Sequence, residues 1–258
     1  MLELELGESI GWDHGEAQVH RAVWQGREVV LKRHREARKY ARERHSYLIW
    51  EQTGLLPELL HADAQRLELL LERIPTTLAL SQPQTEAMYR AAGAALRQLH
   101  DAAPRGLIFD DGRGDMRSVM GRYLPRAEGV LPEKQIRRVA WNVAELLQGP
   151  FPGVVLRHGD YTARNWLWDG SRLTVIDTEM ARPGPAVLDM GKLTNDGLSA
   201  ELAQAFQFGY GRPWTPQESA FLNVALCFQA LTLAVWCSEH GDSEGLLAMQ
   251  AALDRLLS

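Results

Sequence analysis

The stretch VVLRHGDYTARNWLWDGSRLTVID, residues 154 to 177, constrains the fold of this chain more than any other. Two short apolar runs, 166–168 and 173–176, flank Asp169-Gly170-Ser171, and such a pair around an Asp-Gly turn predicts a β-hairpin. Val154, Val155 and Leu156 ahead of it read as a short buried strand. His158, Asp160 and Asn165 therefore fall on a loop between strands, where chemistry is commonly displayed. The alternative is a polar turn whose side chains bond their own backbone. The rest of the chain decides between the two.

Strand signals dominate residues 1 to about 74. MLELELGESIGW alternates acidic and apolar residues, as a strand does and a signal peptide does not. AQVHRAVWQGREVVLKRH holds two strand-like runs around Gln25-Gly26 and predicts another hairpin. EARKYARERHSYLIWEQTG is rich in helix formers and closed by Gly54. RLELLLERI reads as a buried linking strand. Pro75 then marks a change of character. Met88, Ala92, Ala95 and Leu99 recur at helical spacing, and the chain beyond Gly184 is mostly helical. Residues 102–130, rich in Gly and Arg, give no clear pattern. The expectation is an α+β chain with a small antiparallel β-sheet lobe and one helix over residues 1–74, then a larger, mainly helical lobe over 75–258. A cleft between lobes commonly takes a small molecule.

Three elements of the first lobe suit anion chemistry. Gly11 and Gly15 permit a tight turn in DHGEAQV, where backbone N–H groups could cradle phosphate oxygens; an ordinary hairpin turn is the alternative. Lys32 shares a strand face with Val30 and either binds an anion as a point charge or is one more surface lysine. The following helix favours the first reading. Tyr40, Glu43, Tyr47 and Trp50 form one stripe, and a carboxylate on an aromatic face is costly to bury unless paired. Lys32 is the expected partner. Glu51 is off the stripe, and Glu36 is explained by the helix dipole. In the opening hairpin, pairing brings Asn165 and Asp177 side by side. Both are hard oxygen ligands suited to Mg²⁺, which takes one or two protein ligands beside substrate phosphates. Asp160 is left to hold a hydroxyl and accept its proton.

The ordered set of a Gly turn, Lys32, Glu43, HGDYTARN at 158–165 and Ile176-Asp177 matches the kinase plan. In detail it resembles the aminoglycoside phosphotransferase and choline kinase family, of protein-kinase-like two-lobe fold. Gly159 stands where protein kinases have Arg, and IDTEMARPGPAVLDMGK carries a second acid, Asp189, twelve positions after Asp177. LLLERIP resembles the family's hinge strand. The resemblance implies ATP or GTP and Mg²⁺ as cosubstrate and cofactor. It implies that Gly15 and Lys32 meet phosphates, that Glu43 holds Lys32, and that hinge backbone around Glu72 and Ile74 meets adenine. Asp160 would be the base, and Asn165 and Asp177 the metal ligands. His158 would brace the loop, and Asp189 would fix it and cap the next helix. Two departures stand out. The Gly turn is poor in Gly and Ser, and Thr162 stands where a lysine is usual, so Arg164 either faces the γ-phosphate or is a solvated surface residue.

Charge bears on the acceptor. The formal net charge is −5, which argues against nucleic acid as a partner. From Gly184 onward eight acidic residues face three basic ones, a balance that attracts a cationic small molecule or else is a solvated surface. The basic residues of the first helix, Arg38, Lys39, Arg42 and Arg44, are solvated or form a nucleic-acid patch. With the resemblance, this points to phosphorylation of a hydroxyl on a small cationic molecule, an aminoglycoside or cationic peptide antibiotic, conferring resistance. The alternatives are a metabolic kinase for choline, homoserine or a sugar, and a non-catalytic nucleotide-binding module. Trp214 and Trp236 are candidates for a quaternary ammonium, with core packing as the other reading of Trp236. No apolar run approaches the roughly 18 residues of a membrane span. Cys227 and Cys237, about 15 Å apart along one helix, are too distant for a disulfide and fit a reducing cytoplasm. The oligomeric state stays open, with a monomer compatible.

Overall fold

A computed structural model describes residues 4–10, 17–102, 112–149, 151–191, 193 and 198–258. The Gly turn with Gly15 lies outside these residues. Strands β1 (Leu4–Ser9), β2 (Ala17–Trp24) and β3 (Arg27–His34) form an antiparallel meander. Gln25 and Gly26, at φ 52° and 76°, make the two-residue turn between β2 and β3. Helix α1 (Ala37–Trp50) runs into a 3₁₀ turn that Gly54 closes at φ 64°. Strands β4 (Leu59–Asp63) and β5 (Glu68–Glu72) complete a sheet in the order β1-β2-β3-β5-β4. A short β6 (Thr77–Leu78) precedes α2 (Glu86–Ala102), α3 (Arg113–Ala127) and α4 (Glu133–Gln148). Then come β7 (Val154–Arg157), β8 (Trp166–Trp168), β9 (Leu173–Val175) and β10 (Arg182–Pro185). Helices α5 (Ala200–Tyr210), α6 (Pro216–Glu239) and α7 (Ser243–Leu257) close the chain.

The chain divides into two compact units, 1–107 with 158–182 and 198–213, and 108–157 with 183–197 and 214–258. The division at 74/75 expected from the sequence falls inside the first of them. In that unit the predicted hairpin pairs Trp166 with Val175 and Trp168 with Leu173, and β6 joins as a third strand. Helices α2 and α5 cross at glycine: a Cβ on Gly93 would lie 2.0 Å from the Phe206 carbonyl oxygen, and one on Gly209 would lie 1.9 Å from that of Arg90. Trp50 donates its indole N–H to the Leu99 carbonyl at 2.9 Å, which ties α1 to α2.

The second unit has an apolar core of α3, α4, α6 and α7, with Val139, Val143, Leu231, Val235 and Leu253 fully enclosed. Helix α3 fills most of the stretch that gave no pattern; Met116, Val119, Met120, Tyr123 and Leu124 pack on this core at helical spacing. Helix α6 corrects an expectation. By length and composition it passes for a membrane span, with a mean hydropathy of 1.8 over an 18-residue window. Its apolar faces are instead taken up by α3, α4 and α7. A capping box at Thr215 and Glu218 starts it, and the free Cys227 and Cys237 are buried along it. Trp236 on α6 is not core: it is 46% exposed and stacks on His240.

Candidate active site

The first unit holds a cavity of about 410 Å³, within the range of small-molecule sites. Strand β3 supplies Val30 and Lys32 to it from one face, as the two-residue period of a strand requires. Strand β5 supplies Leu71 and Glu72, followed by Arg73 and Ile74, and Leu78, Leu167 and Ile176 add apolar surface. Glu43, Arg164, Asn165, Asp177 and Glu179 add polar lining, with Arg21 and Thr76. Another cavity, of about 380 Å³ in the second unit, is lined by Glu145 and no basic side chain among the described residues, so it offers no phosphate cradle.

Lys32 is the electrostatic centre. Its Nζ lies 2.7 Å from Glu43 Oε2 and 2.6 Å from Asp177 Oδ1, with Glu179 Oε2 at 3.6 Å. Burial works against its charge, but Glu43, Asp177 and Glu179 more than offset that, so its pKa is raised. Glu43 has a side chain 1% exposed. Burial alone would raise its pKa; Lys32 and then His34 overcome this and hold the carboxyl below its usual range. Tyr40, Tyr47 and Trp50 of the same stripe are buried around it. Ser46 bonds Thr178 across at 2.5 Å, which ties α1 to the segment carrying Asp177.

The loop after β7 is tied down at each turn. His158 is fully buried and stacks on Trp50. Its Nδ1 accepts from the Asp160 backbone N–H at 3.2 Å, so the ring proton sits on Nε2, which donates to the Ile176 carbonyl at 3.1 Å. Gly159 has φ 83°, and a Cβ there would lie 2.3 Å from the Met180 carbonyl oxygen, which explains Gly at this position. Asn165 donates from Nδ2 to the Asp160 carbonyl at 2.8 Å. The half-buried Asp160 thus has its N–H and its C=O both fixed by loop side chains. Asp177 does not end the strand as expected: β9 stops at Val175, and Asp177 adopts a left-handed φ of 63° just beyond it.

The cavity therefore gathers Lys32, Glu43, Glu72, Ile74, Arg164, Asn165 and Asp177. Glu72 spends its carboxylate on the Glu58 N–H, and Arg164 is exposed. Asp189 belongs to the second unit, buried inside a 3₁₀ turn (Ala186–Met190) whose cap is Pro185; the segment it was expected to cap lies mostly outside the described residues. Two residues were missed. His34 is two positions after Lys32 and Glu179 two after Asp177, so the strand period and the repeated acid in IDTE were the available signals. The donor set fits a hard divalent cation. Asp177 is 39% exposed with one oxygen on Lys32, and Asn165, its amide nitrogen engaged, retains its carbonyl oxygen.

The chain matches the model of the phosphotransferase enzyme family over residues 8–222. The chain belongs to that family. It is a small-molecule phosphotransferase with an α+β, kinase-like fold. A choline/ethanolamine kinase family protein from Mesorhizobium loti superposes with a TM-score of 0.76 at 21% identity, over 98% of this chain and 88% of that one. A thermostable mutant of aminoglycoside phosphotransferase APH(4)-Ia, in ternary complex with ADP and hygromycin B, gives 0.73 at 16% identity, over 97% and 93%. Spectinomycin phosphotransferase APH(9)-Ia, with ADP and spectinomycin, gives 0.68 at 13%, over 99% and 92%. No curated protein sequence matches the chain.

Proposed function

We propose that the protein transfers the γ-phosphoryl group of ATP or GTP, with Mg²⁺, to a hydroxyl of a small cationic molecule, and that an antibiotic is that molecule. The observation that carries this reading is the single cavity shared by a buried lysine, a metal-type carboxylate and carboxamide, and an apolar slot. The slot between Val30, Leu71, Leu78, Leu167 and Ile176 takes the base, against hinge backbone from Glu72 to Ile74. Lys32 engages the α- and β-phosphates as a point charge held by Glu43. Asn165 and Asp177 hold the metal, which when bound neutralises phosphate charge. Asp160 orients the acceptor hydroxyl and takes its proton. His158 fixes the loop that presents it, and Arg164 adds positive charge beside the cavity.

Two observations support a cationic acceptor: the acid excess beyond Gly184, and neighbours of the same fold named for hygromycin B and spectinomycin complexes. A metabolic amino-alcohol kinase is a second reading, favoured by the likeness to a choline/ethanolamine kinase family protein. Free Cys227 and Cys237 suit a reducing cytoplasm. The test is a screen of purified enzyme with ATP or GTP and Mg²⁺ against cationic antibiotics and amino alcohols, reading nucleoside diphosphate release. Release with antibiotics alone is expected. Release with amino alcohols alone would replace this reading with the second, and release with neither would overturn both.

A further inference from the structure

The pair of Lys32 and Glu43 does not stand alone. His34, two residues along β3, has a fully buried side chain, and its two ring nitrogens face two different carboxylates. Nε2 is 2.9 Å from Glu43 Oε2, the same oxygen that Lys32 Nζ approaches at 2.7 Å. Nδ1 is 3.5 Å from Glu179 Oε2, and Lys39 Nζ is 3.4 Å from Glu179 Oε1. Two carboxylates this close favour the charged form of the ring, and both contacts are ion-pair approaches without hydrogen-bond geometry. Three cations, Lys32, His34 and Lys39, then balance three anions, Glu43, Asp177 and Glu179. The groups facing His34 are Lys32 from its own strand, Tyr40, Lys39 and Glu43 from α1, and Glu179 from the segment after β9. Burial would strip its proton, but Glu179 and Glu43 outweigh burial and raise its pKa.

His34, Glu43 and Glu179 also have ligand atoms within 4.8 Å of one another, as a metal site would. The same carboxylates already face the ammonium groups of Lys32 and Lys39, which a divalent ion would have to displace. A proton-bearing bridge accounts for the geometry without that displacement. Without the charge on His34, Glu43, Asp177 and Glu179 would draw more strongly on Lys32, which would have less positive potential to offer a phosphate.

We propose that His34 is a positioning residue for the phosphoryl donor: its ring pins Glu43 and Glu179, and so keeps the ammonium of Lys32 available to nucleotide phosphates. This rests on the reading of Lys32 as the phosphate anchor. The test compares wild type, His34→Leu and His34→Gln by titration with ADP or GDP and Mg²⁺, whichever the wild type binds, and with the matching nucleoside, which lacks phosphates. In His34→Leu the diphosphate should bind about tenfold more weakly, the scale of one lost buried charge contact, and the nucleoside unchanged. His34→Gln, which keeps one N–H donor, should fall between. Equal diphosphate binding in all three proteins, or diphosphate and nucleoside weakened alike, would overturn the inference. Should His34→Leu fail to fold, His34→Gln carries the same comparison. A wild type that binds neither ligand would instead overturn the nucleotide reading beneath it.

Discussion

The two compact units spend their interiors differently. Of the fifteen buried polar or charged side chains among the described residues, all but Arg157, Asp189 and Glu218 belong to the first unit. The second unit is built round the apolar cluster of α3, α4, α6 and α7. Burying a charge is expensive unless it is paired, and a buried pair is weak evidence for stability. The first unit therefore carries its polar interior for chemistry, where low dielectric strengthens each charge, while the second is built for packing. Variants in the polar interior of the first unit should change activity or break ion pairs, and variants in the apolar core of the second should change stability alone.

The largest separation is expected at Asp160. Asp160→Asn should lower turnover about 10²–10⁴-fold, the usual worth of a positioned base, with little change in melting temperature. Near-normal turnover would remove Asp160 from the chemistry. Next is Lys32→Met, which takes the nearer cation from the buried Glu43 and leaves His34 facing it. Loss of one partner of such a pair costs about 3–5 kcal/mol, readable in urea unfolding, and nucleotide binding should vanish with it. Little loss of stability would mean that the pair is less desolvated than its geometry implies. In the second unit, Leu231→Ala should cost about 2–5 kcal/mol through its cavity while nucleotide affinity of the folded protein stays as in wild type. Weakened nucleotide binding there would blur the contrast between units.

The smallest effect concerns acid. Burial would raise the Glu179 carboxyl, but His34, Lys32 and Lys39 prevail and hold it at about 2, below the ordinary 4.5. A depressed folded pKa gives stability that is complete above about 4.5 and lost as pH falls toward 2. Glu179→Gln should therefore flatten the stability profile across that window. An unaltered slope in acid melts would show that Glu179 is not held by its neighbours.

Local chemistry made much of this legible. The Asp169-Gly170 hairpin, the Gln25-Gly26 turn and the buried stripe of α1 all follow from turn residues and side-chain periods, which act over a few residues. The partnership of Lys32 and Glu43 was legible for the same reason, because an unpaired carboxylate on an aromatic face demands a cation. Helix α3 was hidden because its arginines and glycines masked an apolar stripe that only its neighbours reveal. Strand β4 carries no alternation of its own and is held by pairing with β5.

What the sequence determined by itself is the type of fold and the side chains able to do phosphate chemistry, since both depend on residue type and short spacing. Tertiary structure alone decided that Lys32 faces Asp177, 145 residues away, as closely as Glu43. It also decided that His34 and Glu179 join them. Which charges meet in a dry interior depends on long-range packing, and no local period encodes that.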